Sequence, residues 1–220
     1  MKYKMCVWDL DGTLLNTLYT LHYYDNLALV KYNFNPITIE ESKDLIKHSI
    51  EDYYSILLEL GKCPKDKIPN IVDEFTKYDL GLYLNDFIYK TEEFPEIREV
   101  INYFNNHGVI NAVLTNKPDH IAKRLVKEFY NDDIKYVFGQ SNNTPKPHKG
   151  CVDELIKASN IKEDEMIIVG DTEVDILTAT NNNIKSVAVK WGYQKLDVLK
   201  SYNPTYIIDT PKELIKIFEE

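Results

Sequence analysis

The sequence predicts an α/β fold, in which a Rossmann-like parallel sheet carries helices on both faces and a bundle of helices is inserted near the start. Two observations support this prediction. Short runs rich in Val and Ile alternate with helical stretches over most of the 220 residues. Between residues 18 and 85 the alternation stops, and every periodic stretch is helical. We therefore expect an α/β core domain of residues 1–17 and 86–220, and an inserted α-helical domain of residues 18–85.

The apolar runs are too short for helices and are typical of strands buried in a parallel sheet. Such strands are covered by helices on both faces, so their runs are continuous rather than alternating. Five runs predict strands, at residues 4–8, 109–114, 167–169, 186–189 and 206–208, and residues 136–138 predict a further short one.

Several local signals predict where helices begin and end. Thr38 with Glu41, and Thr210 with Glu213, have the spacing of a capping box. Gly61 and Gly108 stand where a glycine ends a helix, and Pro95 suits the first turn of the next one. We expect most of the tyrosines concentrated in the insertion to pack its bundle: Tyr19, Tyr23, Tyr24, Tyr53, Tyr54, Tyr78 and Tyr83.

Composition narrows the class of protein. The formal net charge of -9 argues against binding to nucleic acid or to an anionic membrane, which usually shows as a basic excess. No stretch resembles a signal peptide or approaches the length of a membrane span, so we expect a cytoplasmic protein. Cys6, Cys63 and Cys151 lack metal-ligand spacing and are expected to be reduced thiols. A small metabolite is the expected partner of a monomer or homodimer.

Two carboxylates mark the end of the first predicted strand. Asp9 and Asp11 lie two positions apart, just before Gly12. Because side chains alternate along a strand, both carboxylates can project to one side at the edge where parallel sheets bind ligands. One acid can attack while the other handles a proton, provided that their environments hold them in different protonation states.

Three further segments follow in order: Val113-Leu114-Thr115-Asn116, Lys146 between two prolines, and Ile167 to Asp175. Together the four segments resemble the haloacid dehalogenase superfamily. The place of the insertion is similar to its helical-cap subclass, which implies that the inserted helices form a cap domain. Thr115-Asn116-Lys117-Pro118 and Trp191-Gly192-Tyr193 are similar to phosphoglycolate phosphatase-like members.

The resemblance implies a phosphatase that forms an aspartyl-phosphate intermediate. Asp9 would be the nucleophile and Asp11 the general acid/base, whose presence separates the chain from the carbon-attacking dehalogenases. Forming an acyl phosphate on Asp9 first would replace one difficult displacement by two easier steps. The resemblance also implies a Mg²⁺ cofactor held by the Asp9 carboxylate, the Asp11 backbone carbonyl and Asp171, with Asp175 supporting the metal's water shell or Lys146.

The phosphoryl group needs positive charge and hydrogen-bond donors placed in advance. Lys146 supplies the charge in this interpretation. The Thr115 hydroxyl and the backbone N–H of Asn116 can point at phosphoryl oxygens, as in an oxyanion hole. Gly12 permits a tight backbone passage, and Thr13 donates a further hydrogen bond.

The substrate is less well defined by the sequence. Lys47 and His48, in a loop of the insertion, are the candidate specificity residues, and Lys47 stands where relatives often have glycine. Both arginines, Arg98 and Arg124, lie outside the insertion, so no cap arginine can clamp a second anion. A phosphoglycolate-like phosphomonoester is the expected substrate.

Three alternatives stay open at this stage. A β-phosphoglucomutase-like phosphotransferase would use the same core but needs a bisphosphate, which the missing cap arginines disfavour. A phosphonoacetaldehyde hydrolase would use a cap lysine as a Schiff base, and Lys47 lies in the comparable region. A catalytically idle phosphate- or metal-binding regulator is the third alternative, and the intact Asp9, Asp11, Lys146 and Asp171 argue against it.

One departure from the family concerns a helix end. Where relatives usually have glycine after the fourth motif, this chain has Asn181-Asn182-Asn183. Because asparagine tolerates the left-handed conformation, we expect the turn to survive.

Overall fold

A computed structural model describes residues 1–141 and 144–220 of the chain. The chain forms two compact units. The first, here called the sheet unit, comprises Met1–Asn16 and Glu93–Glu220. The second, here called the helical unit, comprises Thr17–Glu92. The boundaries of the sequence analysis, after residues 17 and 85, stay predictions of the functional domains.

The sheet unit is built on six parallel strands, which confirms the predicted fold class. Their order in the sheet is β5-β4-β1-β6-β7-β8. Two-residue strands, β2 and β3, lie outside this sheet. The strands are β1 (Met5–Trp8), β2 (Leu15–Asn16), β3 (Glu92–Glu93), β4 (Ile110–Pro118), β5 (Tyr136–Gln140), β6 (Met166–Gly170), β7 (Lys185–Val189) and β8 (Tyr206–Ile208).

Ten helices accompany the strands within the described residues. The first four form the helical unit: α1 (Leu18–Lys31), α2 (Ile39–Leu45), α3 (Ile50–Leu60) and α4 (Ile68–Asn85). The other six belong to the sheet unit: α5 (Ile97–Asn106), α6 (Asp119–Tyr130), α7 (Asp153–Ser159), α8 (Glu173–Asn181), α9 (Leu196–Ser201) and α10 (Glu213–Glu219). No helix in these described stretches combines the length and apolar character that a membrane span requires.

Strand β1 shows why both faces of the sheet carry helices. All four of its residues are buried, so both alternating sets of side chains need apolar partners. On one face Val7 belongs to a core cluster with Leu155 of α7 and Ala179 of α8. On the other face the ring of Trp8 packs against Phe104 of α5. The central strand is thereby fixed from both sides, together with the loop that follows it.

The helical unit has its own apolar core, centred on Leu29, Leu57 and Phe75. Most of its tyrosines pack as predicted, since Tyr24, Tyr53, Tyr54 and Tyr83 are buried. Tyr19 and Tyr23 are exposed on α1, although the Tyr23 ring still contacts the rings of Tyr24 and Tyr89.

The predicted helix ends are mostly found in the structure. Thr38 and Glu41 form the capping box at the start of α2. Gly108 follows α5 with a positive φ, and Asn183 takes the left-handed conformation after α8, as expected from the asparagine run. The prediction for Pro95 is wrong by two residues, because α5 begins at Ile97. All three cysteines are free thiols, as predicted.

The prediction for Gly61 is right about the position and wrong about the reason. Gly61 ends α3, but its φ is -68°, and Lys62 adopts the left-handed conformation instead. A Cβ on Gly61 would lie 2.6 Å from Cδ2 of Leu29, which is fully buried. The glycine is therefore needed for close packing rather than for its backbone conformation.

This packing predicts opposite effects for two glycine substitutions. Gly61→Ala should lower the free energy of unfolding by about 1–3 kcal/mol, because the added methyl overpacks a filled core. Gly81→Ala, inside α4, should leave it unchanged or raise it by about 1 kcal/mol, since a Cβ there meets nothing within 4 Å. Urea denaturation followed by circular dichroism measures both. Equal effects of the two variants would contradict the packing argument.

The helical unit also buries two carboxylates beside tyrosines. The Tyr53 hydroxyl donates to Oδ2 of Asp25 and the Tyr54 hydroxyl donates to Oδ2 of Asp79, both at 2.7 Å. Among the described residues, no hydrogen-bond partner reaches Oδ1 of Asp79. Burial raises the pKa of Asp79 to about 7, although the Tyr54 hydrogen bond opposes the shift.

This raised pKa predicts a pH-dependent stability. Asp79 binds its proton more tightly in the folded chain than in the unfolded one, so stability falls as pH rises from about 4 through about 7. Asp79→Asn should match the wild type near pH 4 and exceed its free energy of unfolding by about 2–4 kcal/mol at pH 8. Denaturation at both pH values tests this, with the exposed Asp73→Asn as control. A constant difference at all pH values would contradict it.

Candidate active site at the carboxyl edge of the sheet

The predicted site residues of the core follow neighbouring strands at one edge of the sheet. Asp9 comes directly after β1, and its N–H donates to the carbonyl of Val169 on β6 at 2.9 Å. Asp171 comes directly after β6, and Thr115 lies within β4. Because β1 is flanked by β4 and β6 in a parallel sheet, these residues share the carboxyl edge, where such sheets bind ligands.

Lys146 connects two of the acids. Its Nζ lies 2.8 Å from Oδ1 of Asp9 and 2.6 Å from Oδ1 of Asp175, and all three side chains are buried. Burial lowers the pKa of Lys146, but the adjacent carboxylates of Asp175 and Asp9 raise it further, so the net shift is upward. The lysine therefore stays charged and holds Asp9 in place.

Asp175 also caps the helix that begins in the same site. Its Oδ2 accepts hydrogen bonds from the N–H of Thr172 at 3.1 Å and from the Thr172 hydroxyl at 2.8 Å. These bonds form the N-terminal cap of α8, where a negative charge also suits the helix dipole. One carboxylate thus ties the start of α8 to Lys146.

The loop that carries Lys146 is held by Asn116. The Asn116 side chain donates to the carbonyl of Lys146 at 3.0 Å and accepts from its N–H at 2.8 Å. The sequence predicts a role for the backbone N–H of Asn116 and gives no signal for this role of its side chain. The phosphate-binding role of that N–H stays a prediction.

The Thr115 hydroxyl oxygen accepts from the N–H of Lys117 at 3.2 Å, and the side chain is buried. This contact orients the hydroxyl and leaves its proton as the group that can donate. The predicted contact of Thr115 with a phosphoryl oxygen is compatible with this arrangement.

Asp171 is fully buried and is held by two donors. The Thr13 hydroxyl donates to Oδ1 at 3.0 Å, and the N–H of Tyr193 donates to Oδ2 at 2.8 Å. The proton of the Thr13 hydroxyl is therefore engaged on Asp171, whereas the sequence analysis assigned it to phosphate. Burial is the main cause that raises the pKa of Asp171, with further contributions from Asp175 and Asp9.

Two glycines explain how the backbone approaches Asp171 so closely. A Cβ on Gly12 would lie 2.4 Å from an Asp171 carboxylate oxygen, and one on Gly192 would lie 2.1 Å from its Cβ. Gly12 also has a φ of +83°, which a residue with a side chain rarely adopts. The neighbouring Trp191 indole donates to the carbonyl of Thr13 at 3.0 Å. The Trp191-Gly192-Tyr193 segment thus closes the site around Asp171.

Asp11 has a partner that the sequence analysis did not assign. The Nζ of Lys117 lies 3.1 Å from both carboxylate oxygens of Asp11, and both side chains are almost fully buried. The signal for this lysine was present in the Thr115-Asn116-Lys117-Pro118 segment. Spacing alone did not indicate that it would turn back towards the first strand.

The site carries an excess of negative charge. Within the described part of the sheet unit, the buried charged side chains are four aspartates and two lysines: Asp9, Asp11, Asp171, Asp175, Lys117 and Lys146. Burial is the main cause that raises the pKa of Asp9 to about 7, and Asp175 and Asp11 add to it while Lys146 opposes it. A cation would balance this cluster.

A divalent metal ion fits this donor set. Carboxylate oxygens of Asp9, Asp171 and Asp175 lie within 4.8 Å of one another. Hard oxygen donors of this kind suit Mg²⁺, which needs only a few protein ligands because it keeps several waters. Asp175 differs from Asp171 in being paired directly with the Lys146 ammonium. The assignment of Asp9 and Asp171 as direct ligands, with Asp175 in a supporting role, stays a prediction.

Lys47 and His48 belong to the helical unit, in the connection between α2 and α3. Both side chains are partly buried. Their role in substrate recognition stays a prediction.

Comparison with known proteins agrees with this geometry. A model of the haloacid dehalogenase-like hydrolase family matches residues 6–189. The chain is 24% identical to a phosphoglycolate phosphatase of Vibrio parahaemolyticus, covering 97% of this chain and 95% of that protein. It is also 24% identical to the pyrophosphatase PpaX of Bacillus thuringiensis, covering 100% of this chain and 98% of that protein.

A crystal structure has the same fold. A predicted phosphoglycolate phosphatase from Haemophilus somnus superposes with a TM-score of 0.90 at 23% identity, covering 99% of this chain and 98% of that one. At this identity the likeness shows the fold alone.

The close approach of Gly192 to Asp171 predicts an effect on cation binding. Gly192→Ala should displace the Asp171 carboxylate and weaken the stabilisation of the folded protein by divalent cations, raising the apparent Kd about tenfold or more. Thermal melting across a magnesium titration measures this, since a ligand of the folded state raises the Tm. Gly81→Ala, in the helical unit, is the control and should behave as the wild type. An unchanged titration for Gly192→Ala would contradict this prediction.

Proposed function

The chain belongs to the haloacid dehalogenase-like hydrolase family, and on that premise we propose that it is a magnesium-dependent phosphatase of a small phosphorylated metabolite. Its relatives named as phosphatases support a phosphoric monoester hydrolase. The observation that carries the proposal is the Lys146 ammonium between Asp9 and Asp175, beside the buried Asp171. A phosphoglycolate-like phosphomonoester is the proposed substrate, and the reaction passes through an aspartyl phosphate.

In the first step an Asp9 carboxylate oxygen attacks the phosphorus as the bond to the leaving oxygen breaks. Asp11 gives a proton to that oxygen, so the leaving group departs as a neutral hydroxyl. Lys146 keeps Asp9 in position and offers a charged donor to the phosphoryl oxygens. The product of this step is an acyl phosphate on Asp9.

In the second step water attacks the phosphorus of the acyl phosphate. Asp11, which has lost its proton, takes one from the water, and the bond between phosphorus and Asp9 breaks. Inorganic phosphate leaves, and the Asp9 carboxylate and protonated Asp11 are restored. The same carboxyl thus acts as acid and then as base.

Mg²⁺ would be held by Asp9, Asp171 and the backbone carbonyl of Asp11, and when bound it would offset the repulsion between an anionic nucleophile and an anionic ester. The excess of carboxylates over ammonium groups supports this assignment. Asp175 supports the arrangement through Lys146. Thr13 and Tyr193 keep Asp171 oriented by donating to its two oxygens.

The proposed phosphoryl site uses donors around Asp9. Thr115, the backbone N–H of Asn116 and Lys146 bind the phosphoryl oxygens, and Gly12 lets the backbone pass close by. Substrate selection by Lys47 and His48 of the helical unit belongs to the same proposal. A diphosphate is the second candidate substrate, because several relatives are named pyrophosphatase PpaX.

Asp9→Asn tests the proposal directly. The amide cannot attack phosphorus, so turnover should fall by about 10³-fold or more while the fold stays intact. Phosphate release is measured with phosphoglycolate, pyrophosphate and p-nitrophenyl phosphate, each with Mg²⁺ and with EDTA. Circular dichroism and the Tm of the variant provide the control for folding.

Two results would contradict the proposed function. One is a folded wild type that releases no phosphate from any of the three compounds with Mg²⁺. The other is an Asp9→Asn variant that keeps a tenth or more of the wild-type rate.

A further inference from the structure

Lys117 contacts the carboxylate that, in the proposed function, protonates the leaving group. Its Nζ is 3.1 Å from each carboxylate oxygen of Asp11. In the proposed function, Asp11 hands its proton to the leaving oxygen and so must approach that oxygen closely. A group in contact with Asp11 is therefore a near neighbour of the leaving group.

The burial of Lys117 calls for a reason beyond surface charge. Its side chain is only 5% exposed, and burying an ammonium is costly unless it is compensated. Asp11 supplies that compensation. An ammonium in this position can also attract an anionic group of a substrate, because hydrogen bonds between charged groups are among the strong ones.

The other buried cation of the sheet unit, Lys146, is already paired with two carboxylates. Lys146 lies between Asp9 and Asp175, on the side of the attacking carboxylate. Arg98 is bound to Glu93 and to the carbonyl of Phe129, away from these acids. Within the described sheet unit, Lys117 is thus the buried cation placed to meet charge on the leaving group.

We propose that Lys117 is a specificity residue that binds an anionic group of the leaving group, a carboxylate or phosphate a few bonds from the bridging oxygen. This inference rests on the proposed function and deepens it. The Lys117 ammonium lies beside Asp11 and can donate a charge-assisted hydrogen bond to that anion. A substrate with a neutral leaving group cannot accept this bond in its charged form.

The test compares two nearly isosteric substrates, phosphoglycolate and its amide, 2-amino-2-oxoethyl phosphate. The measured quantity is the ratio of kcat/KM for the acid to that for the amide, so a general loss of activity cancels. The wild type should prefer the acid about tenfold or more, the range that a charged hydrogen bond supplies. Lys117→Met should reduce the ratio to about two or less, and Lys117→Arg should keep most of it, since it retains the charge.

Lys127→Met is the matched control, because Lys127 is an exposed lysine of α6 that pairs with Asp132. It should keep the wild-type ratio. If Lys117→Met is inactive with both compounds, calorimetry in the Asp9→Asn background measures the same preference as a ratio of Kd values. There, the further change Lys117→Met should remove the preference for the acid.

The outcomes separate this inference from the proposed function. A wild type that hydrolyses both compounds equally well, or a Lys117→Met variant that keeps the preference in turnover or in binding, overturns the role of Lys117 and leaves the phosphatase intact. A folded wild type that releases phosphate from neither compound nor from p-nitrophenyl phosphate overturns the proposed function, and this inference with it.

Discussion

The ion pairs of Lys146 with Asp9 and Asp175 are the interaction on which the rest of the site depends. They join the end of the central strand, the loop after β5 and the first turn of α8. Burying these charges separately would cost several kcal/mol each, so each group stabilises the others in place. Removing the lysine would leave Asp9 in a cluster of carboxylates with an even larger excess of negative charge. The position of Asp9 and the charge of its surroundings thus have one cause.

The parallel sheet makes this convergence achievable with short loops. Neighbouring strands end at the same edge, so the residues directly after β1 and β6, and the last residues of β4, meet without long connections. Close contact then needs small residues, and Gly12 and Gly192 let two separate segments reach Asp171. Donors from Thr13 and Tyr193 complete its surroundings. Packing therefore holds several carboxylates close together against their electrostatic repulsion.

The fold and the positions of the acids could be predicted because their signals are local. Asp9 and Asp171 each follow an apolar run, and the order of the runs determines which strand ends meet. The Lys117 contact with Asp11 could not be predicted, since a lysine's long side chain reaches partners that spacing does not specify. Gly61 is a second example. A glycine is needed there because a side chain would clash with a methyl group of Leu29, a residue distant in sequence. Local conformation is encoded locally, whereas contacts between segments depend on the packed structure.

The proposed reaction depends on a covalent bond between an Asp9 carboxylate oxygen and phosphorus, and trapping that bond tests it most directly. Enzyme mixed with phosphoglycolate and Mg²⁺ is quenched in acid within its first turnovers, reduced with borohydride and digested for mass spectrometry. We expect that Asp9, and no other carboxylate, is converted to homoserine through its acyl phosphate. Conversion at Asp11, Asp171 or Asp175 instead, or rapid turnover with Asp9 unmodified throughout, would contradict it.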